Sequence, residues 1–254
     1  MPVTTASADQ VSWINGRPVL ASKPNANTNT ATTKPTPKNP KNKTNPRRVK
    51  QYACRAEQLR PQLNLVTPGS PLAFDCEGVE LTQNAGKRRD GVGRLSIVNV
   101  DGQVVYDTFV YYPSDVPHRP PPQHLKLGVK YKDIRPENGA QPHAQVLAAA
   151  KAIFDKSGVI VAHAASNDVQ MMEGIDFNQY VVRDTQRLYG SELGRLPGLG
   201  ALSFSVLGRS IQVEEHSSVE DARATMELFL EYHERYEADC DYTGTLLDSD
   251  STSA

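Results

Sequence analysis

Four carboxylates and one imidazole are the groups in this chain whose types and spacing could do chemistry: Asp75, Glu77, Asp168, Asp221 and His216. Asp75 and Glu77 close the run Leu72-Ala73-Phe74-Asp75-Cys76-Glu77. Asp168 closes His163-Ala164-Ala165-Ser166-Asn167-Asp168, and His216 and Asp221 bracket Ser217-Ser218-Val219-Glu220. Side chains two apart in extended backbone project to one face, so Asp75 and Glu77 point together while Phe74 and Cys76 enter the opposite layer. Four carboxylates gathered in one pocket repel unless cations neutralise them, and hard oxygen donors of this kind select Mg²⁺ or Mn²⁺. A histidine beside them supplies a side chain that takes a proton near neutral pH. Hydrolysis of a phosphodiester needs that combination.

The elements that must position these groups are legible between about residues 70 and 238. Pro71 to Glu77 reads as a strand. Leu95 to Val100 and Val104 to Val110 are apolar, β-branched runs joined by Asp101-Gly102, a strong hairpin signal. Pro117 to Pro122 must be an extended loop. An alanine-rich helix spans Gln145 to Phe154 and closes near Gly158, followed by a buried strand from Val159 to Ala162. A helix starts near Ser166, capped by Ser166 or Asn167, with Asp168 in the first turn, where the helix dipole favours acids. Tyr180 to Arg183 is a further strand and Gly198 to Leu207 a helix ending at Gly208. Ser217 and Glu220 form a capping-box pattern for the last helix, whose Ala222, Met226, Phe229 and Leu230 share one face and should pack on the sheet. Three antiparallel strands and then alternating helix and strand give an α/β mixed sheet flanked by helices.

Each signal is weak alone; a loop histidine or a first-turn acid usually serves solubility or helix stability. In order they are specific. Asp-x-Glu on a first strand, Asn-Asp opening a middle helix and His-x4-Asp entering a last one resemble the pattern of the DEDDh 3′→5′ exonucleases. Separations of 91 residues from Glu77 to Asp168 and 53 from Asp168 to Asp221 match it. Phe74-Asp75-Cys76-Glu77, Val182-Arg183-Asp184-Thr185 and the run from His216 to Ala222 resemble the RNA exonuclease 4-like branch, over roughly residues 70–236.

That resemblance implies a ribonuclease H-like fold and two divalent ions, Mg²⁺ with Mn²⁺ as a substitute, acting on single-stranded 3′ ends. RNA is favoured over DNA, with nucleoside 5′-monophosphates released. By motif position Asp75 bridges both ions, Glu77 and Asp221 hold the ion carrying the water, Asp168 holds the ion at the leaving group, and His216 is the general base. Three positions depart from the branch: Gly78 where a methionine follows Asp-Cys-Glu, Ala162 where a glycine precedes His163-Ala164, and Lys132-Asp133 where Ser-Gly precedes Ile134-Arg135-Pro136. None removes a ligand; Gly78 is expected to widen the bed of the terminal base. His163 and Asn167 read as structural. Alternatives are a DNA-directed exonuclease, a non-cleaving nucleic-acid-binding module on the same fold, and an interaction scaffold tethered through the N-terminal arm.

Composition sets the frame. The 254 residues carry a net charge of −1, but residues 1–60 hold 11 Lys and Arg against 2 acids, and the remainder 17 against 27. A basic arm, residues 1–69, expected to be mostly disordered from its Asn, Thr, Pro and Lys content, thus precedes an acidic domain, residues 70–238, and a loose tail, residues 239–254. Such arms bind nucleic acid, act as import addresses or serve only as solvated linkers, and Arg47-Arg48-Val49-Lys50 points to a nuclear or nucleolar location, with the cytoplasm as the other. Lys87, Arg88, Arg89 and Arg94 are expected to track a phosphate backbone or to solvate a loop. Three distant cysteines argue against a disulfide framework and a zinc site, and no apolar run reaches transmembrane length; no secretory leader is read.

Overall fold

The structure, a computed structural model, describes residues 12–14, 17–19, 55–82, 88–122, 126–213 and 215–247. Most of the arm expected to be disordered lies outside the described residues, as do the Arg47–Lys50 run and Lys87. Two compact units result, Met1–Val49 and Lys50–Ala254. In the first, Ser12–Ile14 (β1) pairs antiparallel with Arg17–Val19 (β2).

The second unit is built on a seven-stranded sheet. Leu72–Thr82 (β3), Arg88–Val98 (β4) and Val104–Tyr111 (β5) form an antiparallel meander. Within the proline-rich segment expected to be a loop, His118–Arg119 (β6) instead pairs with the far end of β3, its extended backbone supplying a short edge strand; Gln141–Pro142 (β7) pairs parallel with β5. Val159–Ala162 (β8) runs parallel to β3, and Val181–Asp184 (β9) parallel to β8, giving the order β7-β5-β4-β3-β8-β9 with β6 on β3. The helices are His143–Ser157 (α1), Ser166–Met171 (α2), Thr185–Leu193 (α3), Leu199–Leu207 (α4) and Ser218–Tyr236 (α5). Among the described residues no helix is long and apolar enough to cross a membrane.

Alternation on β3 decides which layer each residue enters. Leu72, Phe74 and Cys76 join the main core with Ile97, Ile153 and Phe154. Ala73 faces the other way and packs with Val98 and Val161 under Ala222, Met226 and Phe229 of α5. Asp75 and Glu77 follow Ala73 on that α5 face. The hairpin between β4 and β5 closes as its Asp-Gly demands: Gly102 has φ +71°, and the Asn99 side chain accepts from the N–H of Asp101 and Gln103.

Several local expectations need correction. Helix α3 was not legible, because Asp184, which accepts from the Gln186 N–H as its cap, looks in sequence like the end of a strand. Neither Ser166 nor Asn167 caps α2. Its N-cap is Ala165, and the Asp184 carboxylate accepts from the N–H of Ala164 and Ala165, so one acid serves two helix starts. Ser217 is the N-cap of α5, but its side chain makes no capping bond. Packing reaches back to Arg55, upstream of residue 70, through Gln62 N–H to Val105 C=O and buried Val66. Past residue 238, the Asp241 carboxylate accepts from the main-chain N–H of Thr243 and Thr245, and Cys240 bridges Leu246.

Candidate metal-binding site

Three of the five residues singled out in the sequence meet directly. Glu77 from the middle of β3, His216 from the loop before α5 and Asp221 from its first turn each offer a ligand atom within 4.8 Å of the other two. Asp75 and Asp168 lie outside that trio, yet the charges of Asp168, Asp221 and Glu77 all act on the Asp75 carboxyl, so the four acids share one field. Asp168 is brought in by α2 and accepts a hydrogen bond from the Cys76 main chain. Glu77, Asp168 and Asp221 are buried, while Asp75 and His216 are partly exposed. His163 stands apart from this work: its Nδ1 bonds Thr185 Oγ1 at 2.9 Å, which joins β8 to the start of α3.

Electrostatics make this cluster unsuited to stand alone. Burial pushes Glu77 up to about 8, with Asp221 and Asp168 adding to the rise and Arg94 opposing it. Asp168 rises to about 7, again chiefly by burial and then by Asp184. Asp75 and Asp221 also rise, from burial first. Glu77 Oε1 and Asp221 Oδ1 are buried with no hydrogen-bond partner among the described residues. Buried carboxylate oxygens without donors are costly, and a hard divalent cation satisfies both the orphaned oxygens and the shared charge. The donor set therefore fits Mg²⁺ or Mn²⁺.

One cation expected at the surface is instead part of the support. Arg94, opposite Glu77 across β3 and β4, is 4% exposed and makes a bidentate pair with Asp107, Nε to Oδ1 and Nη2 to Oδ2, both 2.8 Å. Asp107 also accepts from Ser96 Oγ at 2.8 Å and the Glu57 N–H, and Ser96 Oγ bonds Ser218 Oγ at 2.6 Å at the head of α5. This buried chain ties β4 and β5, next to the strand carrying Glu77, to the helix carrying Asp221. Arg94 is unavailable to a phosphate backbone because every donor used here is aimed inward. Arg88 and Arg89 remain at the surface, paired with Glu80 and Glu173.

A loop completes the wall. A Cβ on Gly128, at φ +73°, would stand 2.6 Å from the His216 carbonyl oxygen and 2.9 Å from Glu77 Oε1, so only glycine fits. Arg55 anchors this loop, donating to the Gly128 carbonyl at 2.8 Å and pairing with buried Asp133 and with Glu215. Burial raises Asp133 to about 6. The three non-glycine residues with positive φ among the described residues all adjoin the site. Lys126 accepts from the His216 N–H, Ala164 precedes α2, and Gln212 donates Nε2 to Asp221 Oδ2 at 2.9 Å. Strain of this kind persists where surrounding structure enforces it, often at functional sites. Beside Gly78, Met171 Sδ of α2 lies 3.4 Å from where a Cβ would stand, so Met171 takes up part of the space the missing side chain leaves. Gly128, Arg55, Asp107, Asp133 and Gln212 escaped the sequence reading; their partners lie far away in the chain.

The mixed sheet, its strand order and its flanking helices make this a ribonuclease H-like fold. No family model matches the chain. Over 167 residues it is 36% identical to RNA exonuclease 4 of Mycosarcoma maydis, covering 64% of this chain and 42% of that protein. Against RNA exonuclease 4 of Homo sapiens it is 32% identical over 172 residues, covering 66% of this chain and 38% of that protein. The chain thus spans about two fifths of these relatives' length. Among solved structures it superposes on the pseudoubiquitin hydrolase-RNA exonuclease module of Saccharomyces cerevisiae Pan2, determined in complex with AAUUAA RNA. That match has a TM-score of 0.57 at 22% identity, covering 72% of this chain and 32% of that one. These likenesses support the resemblance to the DEDDh exonucleases, in the RNA exonuclease 4-like branch.

Proposed function

We propose that this protein is a metal-dependent 3′→5′ exonuclease that shortens single-stranded RNA from its 3′ end. The observation that carries the reading is the meeting of Glu77, His216 and Asp221 within 4.8 Å, in the shared field of Asp75 and Asp168, with two buried carboxylate oxygens unpartnered. RNA is preferred to DNA because the relatives bear the name RNA exonuclease 4 and the Pan2 module was determined with RNA.

Asp75, Glu77, Asp168 and Asp221 would hold two divalent cations. When bound, such ions supply charge neutralisation at the phosphate and acidify a water. The chain's own groups do the rest. His216, in a partly open position beside Glu77 and Asp221, accepts the proton of the attacking water. Gly128 lets the loop wall approach Glu77 closely, and the Arg94-Asp107-Ser96-Ser218 chain fixes the two halves of the site against each other.

A 5′-labelled oligoribonucleotide incubated with Mg²⁺ or Mn²⁺ should yield a ladder and nucleoside 5′-monophosphates. Chelator should stop the reaction, and Asp75→Ala should abolish it while the fold persists. Full activity in Asp75→Ala sinks the reading, and faster loss of a matched deoxyribo-oligonucleotide moves it to DNA. The Arg47-Arg48-Val49-Lys50 run supports a nuclear placement. A fluorescent fusion that stays cytoplasmic with this run intact speaks against that.

A further inference from the structure

A cavity of about 420 Å³ opens at the end of β5, away from the carboxylates. Tyr111, Tyr112, His118, Tyr131, Ile134 and Arg135 line it. That volume suits one nucleoside. Tyr131 is 57% exposed, more than any other aromatic ring described, so it does not contribute to the core. It is nonetheless held: Arg135 Nη1 donates to its hydroxyl at 2.9 Å, and the guanidinium lies 5.0 Å from the ring centroid. An exposed aromatic ring fixed by a stacked arginine is a pre-organised surface for another flat π system. Behind it Tyr112 stacks on His143 at 5.0 Å and tilts against His118 at 5.6 Å, so the wall is rigid.

Charge and continuity decide what fits. Residues 118–137 carry five basic side chains and two acidic ones, in the unit that is otherwise acidic. Of the two acids, Asp133 is buried against Arg55 and Glu137 is paired with Arg135 at 3.2 Å. Of the cations, Arg135 lines the cavity beside its partner Glu137, and Arg119 on β6 pairs with Glu80 at 2.7 Å. Both guanidinium groups are largely exposed, and surface pairs of this kind are weak enough to exchange a carboxylate for a phosphate. The same loop touches the candidate metal site: Gly128 abuts Glu77, and Tyr131 lies three residues on, a span of at most about 11 Å. From the other side, His118 pairs with Leu81, four residues along β3 from Glu77, or about 13 Å. A strand whose 3′ end sits among the carboxylates reaches this cavity within a few nucleotides.

We propose that the Tyr131–Arg135 cavity receives a base of the single-stranded RNA upstream of its 3′ end, stacked on Tyr131, with Arg119 and Arg135 against the flanking phosphates. It rests on the exonuclease reading and adds a second binding point, which makes affinity grow with strand length.

The test is fluorescence anisotropy of 5′-labelled ribo-dimer and ribo-octamer on the full chain, in EDTA so that no turnover occurs. The wild type should bind the octamer more tightly than the dimer. Tyr131→Ala should weaken octamer binding about 5- to 100-fold, the worth of one base–aromatic stack, and so narrow the gap between lengths. Tyr131→Phe, which keeps the ring, should restore most of it, and Phe204→Ala, an exposed ring on α4, should leave it unchanged. An unaltered octamer-to-dimer ratio in Tyr131→Ala, or equal weakening for both lengths, overturns the proposal alone. Wild-type protein that binds neither RNA and releases no nucleotide with Mn²⁺ overturns the exonuclease reading with it.

Discussion

Removing divalent metal should make the stability of this protein fall as pH rises, the reverse of the usual behaviour of surface acids. Glu77 is pushed from 4.5 to about 8 and Asp168 from 3.8 to about 7, chiefly by burial. The folded chain therefore holds these protons more tightly than the unfolded chain does. Folding takes up protons between about pH 4 and pH 8, so metal-free protein loses stability through that window. At about 1.4 kcal/mol per pH unit each group carries several kcal/mol, but the acids repel one another and their costs overlap. A loss on the order of 4 kcal/mol between pH 5 and pH 8 follows. In a unit of this size that lowers Tm by roughly 10 °C. Saturating Mn²⁺ at pH 8, at about a hundred times its Kd, should return about 2.7 kcal/mol. Glu77→Gln, which cannot ionise, should flatten the metal-free slope. Differential scanning fluorimetry across pH 5–8, with and without EDTA, measures all of this. A metal-free Tm that holds or rises over the range, or a slope untouched by Glu77→Gln, refutes the argument.

Other perturbations separate the site's parts. His216→Ala should slow single-turnover cleavage roughly 10²–10⁴-fold while leaving RNA affinity in EDTA within about threefold. Gly128→Ala places a Cβ 2.6 Å from the His216 carbonyl and forces φ +73° on a residue that resists it. It should cost about 1–3 kcal/mol in urea unfolding and most of the cleavage rate. Arg94→Met leaves the Asp107 carboxylate buried without its bidentate partner. Urea unfolding should register a loss of about 3–5 kcal/mol, whereas a merely surface arginine would register almost none.

How much of this was readable follows from how local each cause is. The facing of Asp75 and Glu77 depended only on strand alternation, and the apolar face of α5 only on helical spacing, so both appear as expected. The Asp101-Gly102 turn carried its own conformational signal. Arg94 looked like its neighbours Arg88 and Arg89 because the sequence does not show that Asp107, on the next strand, turns it inward. Likewise α2 takes its cap from Asp184, at the end of the next strand, where adjacent Ser166 and Asn167 offered a nearer choice. The space beside Gly78 is partly taken up by Met171, a contact between elements that are distant in the chain. Long-range partners of this kind, at Gly128, Arg55 and Gln212 as well, complete the site, and no periodicity announces them.

The central claim is that distant acids form one centre able to hold paired divalent cations. Anomalous scattering from crystals soaked in Mn²⁺ tests it most directly. Two peaks roughly 4 Å apart among Asp75, Glu77, Asp168 and Asp221, lost in Asp75→Ala, are the predicted result. Manganese bound elsewhere on the chain, or no peak at saturating concentration, would contradict it.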